Sequence, residues 1–392
     1  MVFVMTACSE NSSQSEKSQP AEQTTVQPTT MSAEEINDRK LDKFISDMTL
    51  EEKVGQMFFV RCPDEDAVQQ VSKYNIGGYI LFGRDFDGKT KDEVVDDIHS
   101  YQNEADIPLL IGVDEEGGTV VRVSSNPNLR ETPFLSPKDT YADGGWDAVK
   151  QDAEEKADLL LSLGINVNLA PVCDMTSDEY GFMYDRSFSS DVDMENRYVR
   201  TVVETSKSKK LGTVLKHFPG YGNNSDTHTG IAYDDRDYSE FENTDFKPFY
   251  QGIESGADCI LVSHNIVNCM DSEYPASLSQ KVHDILRNEF KFDGVIMTDD
   301  LIMDAITDFT GDEAAAVTAA KCGNDLLCCS SVDTQYPAVL EAVQNGEIPE
   351  TQVDASVKRI LKWKQNLGIF NIDTYQKKVK STEPTDTVGS EE

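Results

Sequence analysis

Eight short apolar runs of strand character, each followed by a stretch with helical spacing of apolar residues, constrain this chain more than any other feature. The strand-like runs are Val54–Cys62, Ile76–Phe82, Pro108–Asp114, Ile165–Val172, Gly212–His217, Asp258–His264, Gly294–Thr298 and Asn324–Cys328. The helix-like stretches are Asp64–Tyr74, Asp92–Glu104, Trp146–Leu163, Met194–Leu211, Phe246–Ser255, Gln280–Glu289, Asp312–Lys321 and Thr334–Gln344, with a last one at Val353–Leu367 before Gly368. Apolar strands alternating with amphipathic helices imply a parallel sheet, and eight repeats imply that it closes. The expected fold is α/β, a single-domain (β/α)8 TIM barrel. A doubly wound open sheet would want a Gly-rich phosphate turn, which the sequence lacks.

A chain of 392 residues with 38% hydrophobic content is long enough for one such barrel with a real core. Its 71 acidic and 35 basic side chains give a net charge of −36, which argues against nucleic acid or an anionic surface as an electrostatic partner. A neutral or weakly charged substrate fits better. Of the eight cysteines, Cys173, Cys259, Cys328 and Cys329 fall in or beside apolar strand runs and suit buried thiols. No C-x-x-C spacing is present, so neither a metal–thiolate site nor a cofactor is expected.

Residues 1–8 are apolar and end in Ala7-Cys8, resembling the end of a bacterial lipoprotein signal with Met5 at the aliphatic position and the charged and long apolar parts absent. Residues 9–33, rich in Ser, Gln, Thr and Glu, read as a disordered polar linker. The expectation is an extracellular protein of a bacterium, tethered to a membrane only through a lipid at Cys8. The barrel is expected over 34–373 and a polar tail over 374–392, the whole acting as a monomer. No later stretch approaches the length of a membrane-spanning helix.

In a closed barrel the active site is built where the strands end, so the chemistry should collect there. Asp114-Glu115-Glu116 ends the third strand, Asp174 follows the fourth, and Lys216-His217 ends the fifth with Asp226 and His228 on its loop. His264 ends the sixth strand and Asp299-Asp300 the seventh. Asp226 and His228 are two apart on a loop broken by Pro219, Gly220 and Gly222, where a carboxylate can orient an imidazole for proton transfer. Adjacent strand residues point to opposite faces, so one of Asp299 and Asp300 should face the cavity while the other caps or pairs structurally. The one facing the cavity could be a nucleophile, a general base or a metal ligand.

Together these segments closely resemble glycoside hydrolase family 3 in its β-N-acetylglucosaminidase branch. The resemblance rests on Lys216-His217-Phe218-Pro219-Gly220, Asp226-Thr227-His228, Thr298-Asp299-Asp300-Leu301, Gly112-Val113-Asp114-Glu115-Glu116-Gly117-Gly118, Asn168-Leu169-Ala170-Pro171-Val172 and Arg186-Ser187-Phe188. Pro275-Ala276-Ser277-Leu278-Ser279 and Arg359-Ile360-Leu361 extend it, so that it spans roughly residues 36–370. It implies a retaining exo-glycosidase in which Asp299 attacks the anomeric carbon and His228, oriented by Asp226, serves as acid and then base. It also implies that Asp114, Arg122, Arg186, Lys216 and His217 bind sugar hydroxyls and the N-acetyl group.

The expected reaction removes terminal β-N-acetylhexosamine from cell-wall or chitin-derived saccharides. Glu115 and Glu116 are rival proton donors. Arg122 and Arg186 have a competing reading as structural ion pairs. Three positions depart from the family pattern: Tyr221 stands where His is usual, the loop Gly222–Asp226 is one residue short, and Thr119 replaces a frequent Arg. The alternatives are a β-glucosidase or xylosidase, a phosphorylase on the same fold, a tethered sugar-binding protein without turnover, and a metal-dependent barrel using His217, His228 and His264.

Overall fold

The computed structural model describes residues 1–4, 31–224 and 230–377. By its internal contacts the chain divides into two units, Met1–Arg39 and Lys40–Glu392. In the first, Ser32 N donates to Glu35 Oε2 at 2.7 Å and Glu35 N donates to Ser32 Oγ at 3.1 Å, a reciprocal cap that begins helix α1, Ala33–Ser46.

In the second unit eight parallel strands follow one another: β1 Phe58–Arg61, β2 Gly78–Leu81, β3 Leu110–Val113, β4 Val167–Asn168, β5 Gly212–Phe218, β6 Cys259–Val262, β7 Val295–Thr298 and β8 Leu327–Cys329. Each strand from β1 to β6 pairs with its successor, and β8 pairs with β1 through Phe58↔Leu327. The remaining gap closes where Thr298 N donates to the carbonyl of Leu326 at 3.2 Å and Leu326 N to that of Ile296 at 3.1 Å. The sheet is therefore a nearly closed eight-stranded (β/α)8 barrel, as the alternation predicts.

Helix α2 Leu50–Gln56 precedes β1, and the helices between the strands are α3 Ala67–Tyr74, α4 Lys91–Glu104, α5 Pro137–Ser162, α6 Val192–Lys209, α7 Tyr238–Asn243, α8 Phe246–Glu254, α9 Gln280–Asp284, α10 Asp304–Thr310 and α11 Asp312–Cys322. Helices α12 Val332–Gln344 and α13 Glu350–Asn366 follow β8. The barrel interior is filled by large side chains set against small ones. The Phe59 ring lies so near Gly112 that a Cβ there would stand 2.6 Å from its Cζ, so the glycine on β3 makes room for the aromatic on β1.

Several boundaries differ from the sequence expectation. The run from Val54 is not all strand, since Val54–Gln56 belong to α2, which Thr49 and Glu52 start with a capping box. A buried helical turn and a buried strand placed end to end make one continuous apolar run, and periodicity cannot divide them. The fifth helix begins at Pro137 rather than Trp146 because it bends at Gly144 and Gly145 (φ 64°, ψ −148°), which interrupts its apolar stripe. The strand expected over Ile165–Val172 keeps regular pairing only at Val167–Asn168, and the Ala170–Pro171 peptide after it is cis. Helices α1, α7 and α10 were not signalled by the apolar pattern. Cys173, Cys259, Cys328 and Cys329 are buried free thiols, as expected.

Candidate active site

The C-terminal ends of the strands surround a cavity of about 620 Å³. Among the residues lining it are Asp114, Arg122, Arg186, His217 and Asp299, five of the eight predicted site residues. Asp226 and His228 lie outside the described residues. Lys216 is buried behind the wall, where its Nζ reaches Asp114 Oδ1 at 2.5 Å and Glu116 Oε1 at 2.7 Å.

These contacts belong to one continuous chain of charges. Glu116 accepts two bonds from Arg186, Nε to Oε2 at 2.9 Å and Nη2 to Oε1 at 2.7 Å, the bidentate geometry that suits a guanidinium best. Arg186 Nη2 also stands 3.2 Å from His217 Nε2, and His217 Nδ1 lies 2.7 Å from Asp174 Oδ2. A guanidinium can only donate, so Nε2 must accept and the ring proton sits on Nδ1, directed at Asp174. Asp174 also accepts from the backbone N–H groups of His217 and Tyr221, at 3.0 and 2.7 Å. Local strand geometry makes this arrangement accessible to two neighbouring residues. Between Leu215 and Phe218 the register of β5 against β6 shifts by one, so Lys216 and His217 are freed from strict alternation.

Electrostatics decides the state of Glu116. Burial alone would raise its pKa, but the adjacent Lys216 ammonium and Arg186 guanidinium outweigh that and hold it well below the usual carboxylate range. The same pairing raises Lys216 against its own burial, through Asp114 and Glu116. Glu116 is thus a fixed anion and cannot be the rival proton donor. Glu115 is not one either: it is fully buried, does not line the cavity, and accepts from the N–H groups of Arg122 (2.9 Å), Val123 (2.7 Å) and Ser124 (3.3 Å) and from the Ser124 hydroxyl. It staples the loop that presents Arg122. Arg186 is the ion-pair partner of Glu116 and also forms part of the cavity wall.

Asp299 and Asp300 both line the cavity, against the expectation that only one would. Regular strand pairing ends at Thr298, so the two residues lie past the pleat and its alternation no longer applies. Their chemistry still differs as expected. Asp300 accepts from Ser330 Oγ at 2.6 Å and from Ile302 N at 3.2 Å, and burial raises its pKa despite the Ser330 bond. The Asp299 backbone N–H donates to the Val262 carbonyl at 3.1 Å, which fixes its position just past β7. His264 bonds Ser277 Oγ at 2.7 Å and the Asp300 carbonyl at 3.0 Å, so both ring nitrogens are engaged inside the wall. Among the described residues no group of three or more His, Cys, Asp or Glu could hold a metal ion.

Sequence reasoning passed over Arg61, Phe82, Asp185 and Phe182, which also line the cavity. It also passed over Arg236, which has no strand-end signature. Arg236 bonds Asp245 Oδ2 at 3.0 Å, Asp234 Oδ2 at 2.8 Å and the Gly220 carbonyl at 3.1 Å, while Asn224 Nδ2 donates to Asp234 at 2.7 Å. One cation therefore ties together Gly220, Asn224 and Asp234. Gly220 (φ 119°) and Gly222 (φ 55°) are required here, because a Cβ would stand 2.3 Å from Asp245 Oδ1 and 2.7 Å from the Arg236 guanidinium respectively.

A (β/α)8 barrel hosts many chemistries, and comparison with known families supplies the class: residues 49–363 match the Glycosyl hydrolase family 3 N terminal domain. The chain belongs to this family and is a glycoside hydrolase. It is similar to the beta-hexosaminidase of Nitrosomonas eutropha, at 32% identity over 68% of this chain and 77% of that one. It is similar at 31% to a beta-hexosaminidase of Mycobacterium tuberculosis, over 79% and 81%. Among solved structures it resembles a glycoside hydrolase family 3 beta-N-acetylglucosaminidase from Paenibacillus sp., with a TM-score of 0.77 and 29% identity, over 88% of this chain and 66% of that one.

Proposed function

We propose that this enzyme is a retaining, exo-acting β-N-acetylhexosaminidase that releases terminal β-GlcNAc through a covalent glycosyl-enzyme on Asp299. The observation that carries the reading is the buried relay Asp114–Lys216–Glu116–Arg186–His217–Asp174, which presents rigid acceptors and donors to the same cavity as Asp299. Sugar hydroxyls and an amide need such fixed partners, and a ring held by them reacts from one orientation. The Asp299 carboxylate attacks the anomeric carbon as its bond to the leaving oxygen breaks; a proton passes to that oxygen, and water then releases the sugar with its configuration retained. His228, with Asp226, is the proposed source and recipient of the proton, on the strength of the family resemblance. The natural substrates proposed are cell-wall or chitin-derived saccharides.

The test compares 4-nitrophenyl β-GlcNAc with the β-glucoside for wild type, Asp299→Ala and His228→Ala in phosphate-free buffer. The reading requires GlcNAc turnover that collapses in Asp299→Ala, and a mass increment on the Asp299 peptide after reaction with a 5-fluoro-GlcNAc donor. Turnover of the glucoside alone would assign another sugar, and a label on a different carboxylate would remove Asp299 as nucleophile.

A further inference from the structure

In the sequence, Asp226 and His228 are flanked by residues 220–224 before them and 230–234 after them, and one cation, Arg236, is bonded to both flanks. On the first, its Nη2 donates to the Gly220 carbonyl at 3.1 Å, and Gly222 lies so close to the guanidinium that a Cβ would not fit. On the second, its Nε and Nη2 donate to Asp234 Oδ2 at 3.0 and 2.8 Å, and the same oxygen accepts from Asn224 Nδ2 at 2.7 Å. The second flank is itself fixed to the barrel wall. Tyr233–Asp234 pair in parallel with Ile266–Val267 beyond β6, where Ile266 N donates to the Ala232 carbonyl at 2.8 Å and Asn268 N to that of Asp234 at 2.9 Å.

The guanidinium has little freedom of its own. It lies 4.2 Å over the Phe241 ring, and its Nη1 donates to Asp245 Oδ1 and Oδ2 at 3.1 and 3.0 Å. Asp234 and Asp245 are both buried, so a cation between them is expected on electrostatic grounds alone. Neutralising two carboxylates does not, however, require a bond to the Gly220 carbonyl or a glycine contoured to the guanidinium; those contacts use the breadth of the planar fork to span from one flank to the other. Arg236 is not among the described residues that line the cavity holding Asp299. With Gly222, Asn224, Asp234 and Asp245 it lines a second cavity of about 690 Å³, which shares none of those residues with the first. An effect of Arg236 on the reaction must therefore pass through the chain it holds.

We propose that Arg236 is a positioning residue for proton transfer: by holding the two flanks at a set separation, it places His228 to protonate the leaving oxygen as the bond from that oxygen to the anomeric carbon breaks. The inference rests on the glycosidase reading above, with His228 as the acid, and adds the residue that orients it from outside the substrate cavity.

The experiment measures kcat/KM for phenyl β-GlcNAc and 2,4-dinitrophenyl β-GlcNAc, using wild type, Arg236→Gln, Arg236→Lys, His228→Ala and the double variant Arg236→Gln/His228→Ala. Phenolate is a poor leaving group that needs the proton, whereas dinitrophenolate departs largely without it. The ratio of the two substrates within each protein cancels any loss of folded enzyme, and a merely structural role would lower both alike. In Arg236→Gln the phenyl-to-dinitrophenyl ratio should fall by about tenfold, the scale of a sub-ångström misplacement of a reacting group. Arg236→Lys keeps the charge without the fork and should restore part of the ratio. The double variant should match His228→Ala alone, because a residue that acts through His228 has nothing left to position once the imidazole is gone. An unchanged ratio in Arg236→Gln overturns the proposal, as does a further fall in the double variant, which would give Arg236 another route. A wild type that turns over neither substrate fails at the glycosidase reading itself, and an unchanged ratio in His228→Ala removes His228 as the acid and the proposal with it. A ratio that shifts in His228→Ala and not in Arg236→Gln removes Arg236 alone.

Discussion

The mouth and the floor of the barrel both bury charge, and they do so to opposite ends. At the floor, Asp325 just before β8 accepts from Ile296 N at 2.9 Å, Ser356 Oγ at 2.9 Å and Arg359 Nη1 at 3.0 Å, and from Arg287 as well. Every oxygen is used within the protein, and the cluster joins β7, β8, α13 and the turn after α9. At the mouth, Asp114, Arg186 and His217 are equally tied to neighbours yet still line a cavity. The lesson is that pairing alone does not mark function. A closed set of partners holds the fold, and a set with atoms left toward a cavity holds a substrate.

The largest expected effect separates the two regions directly. Asp299→Ala should lower turnover on the order of 10⁴-fold, as loss of a nucleophile does, and leave the melting temperature within about 2 °C of wild type. Initial rates beside a thermal melt decide it; a melt that collapsed with the rate would move Asp299 to the scaffold. Asp325→Ala should do the reverse. It strands two guanidinium groups, so urea denaturation should show a loss of about 3–5 kcal/mol while KM of the folded enzyme holds.

Lys364 sharpens the comparison, since it is a floor charge with an incomplete set of partners. It is fully buried on α13, donates to Gln56 Oε1 at 2.8 Å, and has no carboxylate partner among the described residues. Burial lowers its pKa to about 7. The unfolded chain, with an ordinary lysine pKa of about 10.4, therefore binds more protons between pH 7 and 10, and stability must rise with pH across that window, by at most about 1.4 kcal/mol per pH unit. Below pH 7 the burial penalty is fully present. Lys364→Met should flatten this rise, with the clearest gain near pH 6, reduced because Gln56 loses its donor; denaturation at pH 6, 8 and 10 measures it. A slope equal to wild type would show that another group sets it.

The smallest effect belongs to Asp174→Asn at the mouth. The amide can still accept from His217 Nδ1 but no longer offers a full carboxylate to three N–H groups, so KM should rise on the order of tenfold with kcat much less affected. An equal fall in kcat would mean that His217 acts in the bond-breaking step.

The sequence announced the barrel and much of its mouth because both are written locally. Strand period, helix period and the polar residues just past each apolar run are properties of neighbours in the chain, which is why Asp114, Lys216, His217 and Asp299 were legible. Where two elements abut without a polar break, as at Val54–Gln56, that local code is silent and the boundary was misplaced. Glu116 shows the deeper limit: a carboxylate two positions from Asp114 reads as a proton donor until Arg186, 70 positions on, and Lys216 are seen to hold it ionised. Arg236 carries no sequence signature, for its role consists of what lies across from it. The sequence by itself determined the period of the fold and the kinds of groups that would meet at the strand ends. Only the tertiary structure decided which charges close on one another and which keep atoms for a substrate, because that depends on distances between segments far apart in the chain.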